Sequence, residues 1–314
     1  LWAGTDDGNL QMSPDNGVTW KNITGLFYDT KGKLKKKHPS GAVLPFDKWV
    51  TRVKPSSHDV NVCYVTYSGY RTHNEDNSYI YVTHDMGKTW KDISQGMMNP
   101  VRDIEEDPHN AKVLYIATDY GIFVTIDQGK NWMKLSSKEP HVIMMDLDIQ
   151  KRERDLAVAT YGRGFYIIDI YPFKEFKTEI FEKEGHLFDI QRVIKWAMIE
   201  RRGQSYGVFA RSNNPATQAV FYYYLKDKKK KVKIVLKDLE GNVLQEIKGK
   251  SNKGLHRAVW NLRKKPPKGQ DNQQSRRRSS MQSVDAGRYM ATLVVEDKEV
   301  MTKKLIVIDD PILN

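Results

Sequence analysis

Thr83-His84-Asp85-Met86-Gly87-Lys88-Thr89-Trp90 is one of three copies of a single pattern, Ser/Thr-x-Asp-x-Gly-x-(Thr/Asn)-Trp. The others are Ser13-Pro14-Asp15-Asn16-Gly17-Val18-Thr19-Trp20 and Thr125-Ile126-Asp127-Gln128-Gly129-Lys130-Asn131-Trp132. A short apolar strand follows each: Lys21-Asn22-Ile23, Lys91-Asp92-Ile93 and Met133-Lys134-Leu135. The chemistry accounts for the spacing. The Asp accepts hydrogen bonds from its own turn, the Gly supplies a positive φ, and the Trp covers the hairpin with a large apolar ring. Three copies make a repeat, which is read before anything else.

Longer units surround the boxes. A first strand (Val50–Pro55, Val101–Pro108, Met145–Ile149) leads to a second (Val62–Thr66, Val113–Thr118, Leu156–Thr160), and a third (Tyr79–Val82, Ile122–Val124) carries the box at its end. The fourth begins near the box Trp. Four short antiparallel strands at roughly 40-residue spacing predict β-propeller blades. Asp85 and Asp127 are 42 residues apart; Asp15 and Asp85 are 70 apart, because 25–48 and 68–78 are longer loops. The expected arc has about four blades over 1–171 and is incomplete at both ends. Missing blades would come from upstream sequence or another chain, and the start at Leu1-Trp2-Ala3-Gly4 reads as the middle of a strand.

After Tyr171-Pro172 the period ends. Residues 172–203 are expected to connect to a second domain, 204–314. Its strands include Val208–Ala210, Ala219–Leu225, Val232–Leu236, Val243–Ile247, His256–Leu262, Gly287–Val295 and Lys303–Ile308. That pattern predicts an immunoglobulin-like β-sandwich, with a mobile loop over 264–283 that is rich in Pro, Gln, Ser and Arg. The fold class is therefore all-β: a partial propeller, then a sandwich.

The formal charge is +12, with 51 Lys and Arg against 39 Asp and Glu. Its clusters, Lys33–Lys37, Lys226–Lys231 and Arg276–Arg278, fall in loops and hairpin turns without interleaved aromatics or a helix-turn-helix. This argues against nucleic acid as the partner and for solvated loops; polyanion binding stays open. No apolar run approaches the roughly 18–20 residues of a membrane span. Cys63 is the sole cysteine, so no intrachain disulfide forms. The eight histidines lack metal-ligand spacing. There is no phosphate loop and no Gly-x-Ser-x-Gly. No metal or cofactor is expected.

Strand direction gives the ring two faces. The boxes (Ser13, Asp15, Gly17, Trp20; Thr83, Asp85, Gly87, Trp90; Thr125, Asp127, Gly129, Trp132) lie on one and read as structural. The second-to-third-strand turns lie on the other and collect Asp6, Asp7, Tyr67, Tyr70, Arg71, His73, Asp119, Tyr120, Tyr161 and Arg163, with Arg52, Asp103 and Asp146 at the entry of the innermost strand. Aromatics beside charges suit a sugar or peptide ligand; the same residues also suit ordinary polar turns. For glycoside hydrolysis, which needs two carboxyl groups, Asp103 and Asp146 are the pair to test.

The boxes resemble Asp-box (BNR) repeats. Leu1–Asn9, Leu114–Gly121 and Asp155–Asp169 are similar to the closing blades of large bacterial sortilin-like proteins, and Trp260–Arg263 and Ala286–Tyr289 to the sandwich that ends them. The resemblance covers nearly the whole chain. It implies an exported, extracytoplasmic protein that acts as a binding or assembly module for a protein, peptide or glycan. A carbohydrate-active hydrolase with a site shared with further blades is the alternative. The cysteine-rich module of receptor-type sortilins has no counterpart here, and neither does the Arg-Ile-Pro segment of sialidases.

Overall fold

A computed structural model describes residues 1–24, 27–28, 34–35, 44–45, 48–135, 142–196, 217–264 and 283–311. The expected strand over Val208–Ala210 and nearly all of the 264–283 loop lie outside them, as do most of the 33–37 lysines and Arg276–Arg278. The chain divides into two compact units, Leu1–Phe176 and Lys177–Asn314.

Four antiparallel sheets build the first unit. The first joins β1 (Trp2–Gly4), β2 (Leu10–Met12) and β3 (Lys21–Asn22). A small hairpin follows, β4 (Phe27–Tyr28) with β5 (Leu34–Lys35). The second sheet is β6 (Trp49–Pro55), β7 (Cys63–Ser68), β8 (Tyr79–Thr83) and β9 (Lys91–Asp92). The third is β10 (Val101–Glu106), β11 (Leu114–Thr118), β12 (Gly121–Thr125) and β13 (Met133–Lys134). The fourth is β14 (Met144–Gln150), β15 (Asp155–Thr160) and β16 (Phe165–Asp169). Each sheet runs in simple meander order, and β10 packs beside both β6 and β14, so the first strands line one edge of the stack. These are propeller blades.

Successive blades share apolar cores. Leu10, Met12 and Ile23 pack on Val50, Val65 and Tyr67 of the next blade; Tyr64, Ile80, Val82 and Ile93 pack on Val101, Ile104, Leu114 and Ile116. Register identifies equivalent positions. Ile80, Ile122 and Phe165 pair with Thr66, Ala117 and Ala159, while Val82, Val124 and Ile167 pair with Tyr64, Tyr115 and Ala157. Ile80 and Ile122 are buried at 0% and 1% exposure, but Phe165 is 73% exposed. The fourth blade thus turns to solvent the face that each earlier blade buries.

Each box closes a double turn. Thr83 Oγ1 donates to Asp85 Oδ1 (2.8 Å) and accepts from Gly87 N (2.8 Å), while Asp85 takes the N–H and hydroxyl of Thr89 (2.9 and 2.6 Å). Ser13, Asp15 and Thr19 repeat the set, as do Thr125, Asp127 and Asn131. This explains why the seventh box position is Thr or Asn: each offers a side-chain donor. The box glycine also admits the preceding blade. A Cβ at Gly87 would stand 2.8 Å from Ile23 Cδ1, and one at Gly129 would stand 2.8 Å from Ile93 Cβ.

No box follows β16. The chain instead takes two short 3-10 turns, Tyr171–Glu175 and Thr178–Glu182. The first is held to the third blade by Asn110 Nδ2, which donates to the carbonyls of Phe173 (3.0 Å) and Phe176 (3.1 Å). Beneath it Arg154 donates to Asp107 (2.7 Å), which also accepts from Tyr115 (3.2 Å), all buried.

The second unit packs two sheets on one core. One is β17 (Gly185–Leu187), β19 (Ala219–Leu225) and β22 (Gly254–Trp260). The other orders β18 (Val193–Lys195), β24 (Lys298–Asp309), β23 (Gly287–Val295), β20 (Val232–Lys237) and β21 (Val243–Lys248). Phe221, Tyr223 and Trp260 of the first meet Ile234, Leu293 and Leu305 of the second. Lettered along the chain, the sheets read A–B–E and A′–G–F–C–C′, with A′ parallel to G, and together they form a two-sheet β-sandwich. Tyr289 on strand F donates its hydroxyl back to Asp285 O at 2.7 Å, a tyrosine corner. Within 172–203, Gly185–Leu187 and Val193–Lys195 are edge strands of these two sheets, each only three residues long.

Candidate functional site

The innermost strands carry the same irregularity. A β-bulge interrupts the pairing at Val50/Arg52, Val101/Asp103 and Met144/Asp146, so Arg52, Asp103 and Asp146 hold equivalent positions in three successive blades. The structure brings them together. Arg52 Nη2 donates to Asp103 Oδ2 at 2.8 Å, its Nε donates to Asp103 Oδ1, and Nη2 also reaches Asp146 Oδ1. Asp103 accepts two backbone N–H groups besides, from Ile104 (2.7 Å) and from Leu147 of the next blade (2.6 Å). Its side chain is fully buried, whereas Asp146 is 58% exposed. Burial pushes the Asp103 carboxyl above its ordinary value, opposed by Arg52 and the Leu147 N–H.

Four donors saturate Asp103, and its side chain is fully buried. A general acid needs a proton, and a nucleophile a lone pair, that can reach substrate; the buried, fully engaged Asp103 carboxyl presents neither. The triad instead links three blades at their shared edge. Lys54 with Glu105 (2.7 Å) and Ser56 with Glu106 (2.9 Å) continue the link between the second and third blades.

The turns opposite the boxes behave differently. Tyr70, Arg71, Tyr120, Tyr161 and Arg163 are all solvent-exposed, as are Asp6 and Asp7. Tyr70 and Arg71 open a one-turn helix, α1 (Tyr70–His73), between β7 and β8. Arg71 lies 4.9 Å over the Trp49 ring. Tyr67 does not belong to this set: it ends β7 inside the interblade core at 0% exposure. Alternation decides this, because Tyr67 shares the inward face with Val65. The side chain of His73 lies outside the described residues.

The organising residue of this face is one that the sequence reading missed. Arg102, the bulged residue of β10, grips Asp119 with two hydrogen bonds (2.6 and 2.8 Å) and stands 5.8 Å over the Tyr70 ring. Its side chain is 8% exposed, so the pair is shielded and bidentate. It therefore ties the Tyr70 turn of the second blade to the Asp119-Tyr120 turn of the third. The only sequence signal was its place beside Asp103 in a strand whose alternation breaks. The turns themselves are braced by threonines. Thr118 Oγ1 donates to Gly121 O (2.8 Å), and Thr160 Oγ1 donates to Gly164 O (2.7 Å).

Other candidates resolve as structural. Lys226, Lys229 and Lys231 are paired with Glu182, Glu184 and Asp297, which neutralises much of that run. Cys63 is buried, and burial pushes its thiol up, so it offers no thiolate. Among the described residues no group of three or more His, Cys, Asp or Glu could hold a metal ion. No helix among them is long and apolar enough to cross a membrane.

The sequence profile described as "Sortilin, neurotensin receptor 3" (Sortilin-Vps10) matches residues 78–237. Vacuolar protein sorting/targeting protein 10 of Pyrenophora tritici-repentis (strain Pt-1C-BFP) is 37% identical over 33% of this chain and 8% of its own length. The protein of the same name from Pyrenophora teres f. teres (strain 0-1) is 28% identical over 53% of this chain and 12% of its own. The chain thus spans about a tenth of the length of these curated relatives. Among solved structures, the GH74 xyloglucanase of Xanthomonas campestris aligns at TM-score 0.35 and 12% identity, covering 97% of this chain and 62% of that one. The extracellular domain of a one-component system from B. thetaiotaomicron aligns at TM-score 0.33 and 12% identity, covering 98% and 36%.

Proposed function

Because this chain belongs to the Sortilin-Vps10 family, we propose that its propeller blades form a non-catalytic binding module for a polypeptide ligand, docked on the face opposite the Asp boxes. The observation that carries this reading is the set of exposed tyrosines, Tyr70, Tyr120 and Tyr161, on corresponding turns of three successive blades, with the first two tied by Arg102 and Asp119. Exposed tyrosines on a braced scaffold bind with little loss of side-chain entropy. The family, described by a neurotensin receptor, and the relative, a vacuolar protein sorting/targeting protein, favour polypeptide over glycan. An exported, extracytoplasmic location belongs to the same proposal.

Partners of a second kind follow from the fourth blade. Phe165 and Ile167 occupy positions at which the earlier blades are covered, so a further blade, of this protein or another chain, fits that face. The hydrolase alternative has Asp103 and Asp146 to draw on, and the saturation of Asp103 weighs against it.

The test selects peptides by display against the intact 314-residue chain. Tyr120→Ala and Tyr161→Ala should each weaken the selected peptides by about tenfold without lowering Tm, about 1.4 kcal/mol per anchor. Peptides bound equally well by both variants would refute the site.

A further inference from the structure

The formal charge of +12 is not shared between the two units. Residues 1–176 carry 22 Lys and Arg against 23 Asp and Glu, whereas 177–314 carry 29 against 16. Part of that excess gathers at one end of the sandwich, where three segments meet: 226–231 from β19 into β20, 248–253 from β21 into β22, and 296–298 from β23 into β24. Backbone bonds hold them together, from Lys229 N to Ser251 O (2.8 Å) and from Glu296 N to Lys231 O (2.9 Å). Residues 182–184 enter β17 at the same end, because Gly185 pairs with Leu225 and Leu225 with Gly254.

These four segments hold ten lysines and five acids. Four of the acids brace the turns: Glu182, Glu184 and Asp297 pair with Lys226, Lys229 and Lys231, and Glu296 accepts the Lys230 N–H at 3.1 Å. Lys228, Lys230, Lys248, Lys250, Lys253 and Lys298 are exposed, and none of them forms an ion pair among the described residues. Crowded like charges repel, and Lys248 stands directly opposite Lys233 in the ladder. We propose that this lysine pole docks on an anionic lipid surface, a partner independent of the tyrosine turns.

Shape and chemistry select the partner. The segments are turns at strand ends, so their lysines stand on a protruding pole and line no groove that a linear polyanion could follow. A flat charged surface meets all the turns at once. None of the segments carries an aromatic residue or an arginine. They therefore offer neither a stacking platform for bases nor a bidentate fork for single phosphates. Lysines act as point charges, which suits the diffuse charge of a headgroup layer, and each one near such a surface strengthens binding about fivefold. No large apolar side chain lies among them, so docking is peripheral and reversible by salt.

The experiment sediments the full 314-residue chain with vesicles of three parts phosphatidylcholine to one part phosphatidylglycerol, and with vesicles of phosphatidylcholine alone. Binding to the anionic vesicles only is expected, and it should be lost when sodium chloride is raised to about 0.5 M. The combined change Lys228→Gln, Lys250→Gln and Lys253→Gln should weaken it about a hundredfold at unchanged Tm, because these exposed ammonium groups hold no ion pair. The same exchange at Arg276, Arg277 and Arg278, a separate basic run, should leave binding as it was. Binding that follows the arginines and ignores the lysines would overturn the assignment, as would equal binding to both kinds of vesicle or none to either. Heparin tests the linear alternative: a lysine-dependent complex with heparin that survives the salt releasing the vesicles would replace the lipid surface with a linear polyanion.

Discussion

The indole N–H of Trp132 donates to the carbonyl oxygen of Ile93 at 2.7 Å, joining the third Asp box to the blade before it. The tryptophan therefore does more than cover its own hairpin, because it supplies a directional bond between repeats. Trp132→Phe keeps most of the apolar contact and deletes the donor. We expect a loss of about 1–3 kcal/mol, the cost of leaving a half-buried carbonyl unpaired, read from the urea midpoint. An unchanged midpoint would show that water replaces the indole.

Gly129→Ala tests the same junction from the backbone side. Its φ is +79°, and the new Cβ would stand 2.8 Å from Ile93 Cβ. Both strain and overlap oppose it, so a loss of about 2–4 kcal/mol is expected. Gly162→Ala has a similar φ of +81° with nothing within 4 Å. It should cost about 1 kcal/mol, and the gap between the two measures the interblade contact.

The Asp15 carboxyl is held down to about 2 by the Thr19 hydroxyl and N–H, helped by Ser13. Hydrogen bonds from Thr89 likewise lower Asp85 despite the opposing effect of burial. A folded value below the unfolded one means that the contribution is complete above the unfolded value of 3.8 and is lost as pH falls through the folded value. The boxes should therefore loosen between about pH 4 and pH 2, and the Asp15 carboxyl resonance should titrate at the bottom of that window. A midpoint near 4 would contradict the hydrogen-bond account.

Asp103→Asn and Asp146→Asn should separate cleanly. The first sets an amide NH2 against donors that the buried Asp103 accepts, those of Arg52, Ile104 and Leu147, and should cost about 1–3 kcal/mol. The second removes a largely exposed carboxylate and should change stability by less than about 1 kcal/mol. Thermal melts measure both. Should Asp146→Asn abolish turnover of any glycan at unchanged Tm, the hydrolase reading would return.

Arg154→Met breaks the buried pair with Asp107 and strands that carboxylate beneath the Phe173 segment. A loss of about 3–5 kcal/mol is expected from denaturant unfolding. Arg154→Met combined with Asp107→Leu should recover part of it, since neither partner is then left charged and alone.

Much of the blade architecture was legible because period-2 alternation, box spacing and turn residues all report the same local geometry. Ile80, Ile122 and Phe165 could be aligned from sequence, but their exposure could not, because burial depends on what packs against the next face. Tyr67 and Tyr70 show the same limit. Three residues apart, Tyr67 lies in β7 facing the interblade core while Tyr70 opens α1 beyond the strand, and one is core while the other is solvent-facing. Arg102 stayed hidden because its partners, Asp119 and Tyr70, lie in two different blades. Edge strands Gly185–Leu187 and Val193–Lys195 were too short for any alternation to register.

The second and third boxes reach backward. Gly87 meets Ile23, Gly129 meets Ile93, and Trp132 bonds Ile93, always in the blade already passed by the chain. Nothing in these junctions waits for residues still to come. A ribosome emitting this chain could release it as a growing stack, each new blade latching to a finished neighbour. Fluorescence of Trp132 in chains arrested after Leu135 would reveal such latching before the fourth blade exists. The repeat would then set a direction of assembly as well as a shape.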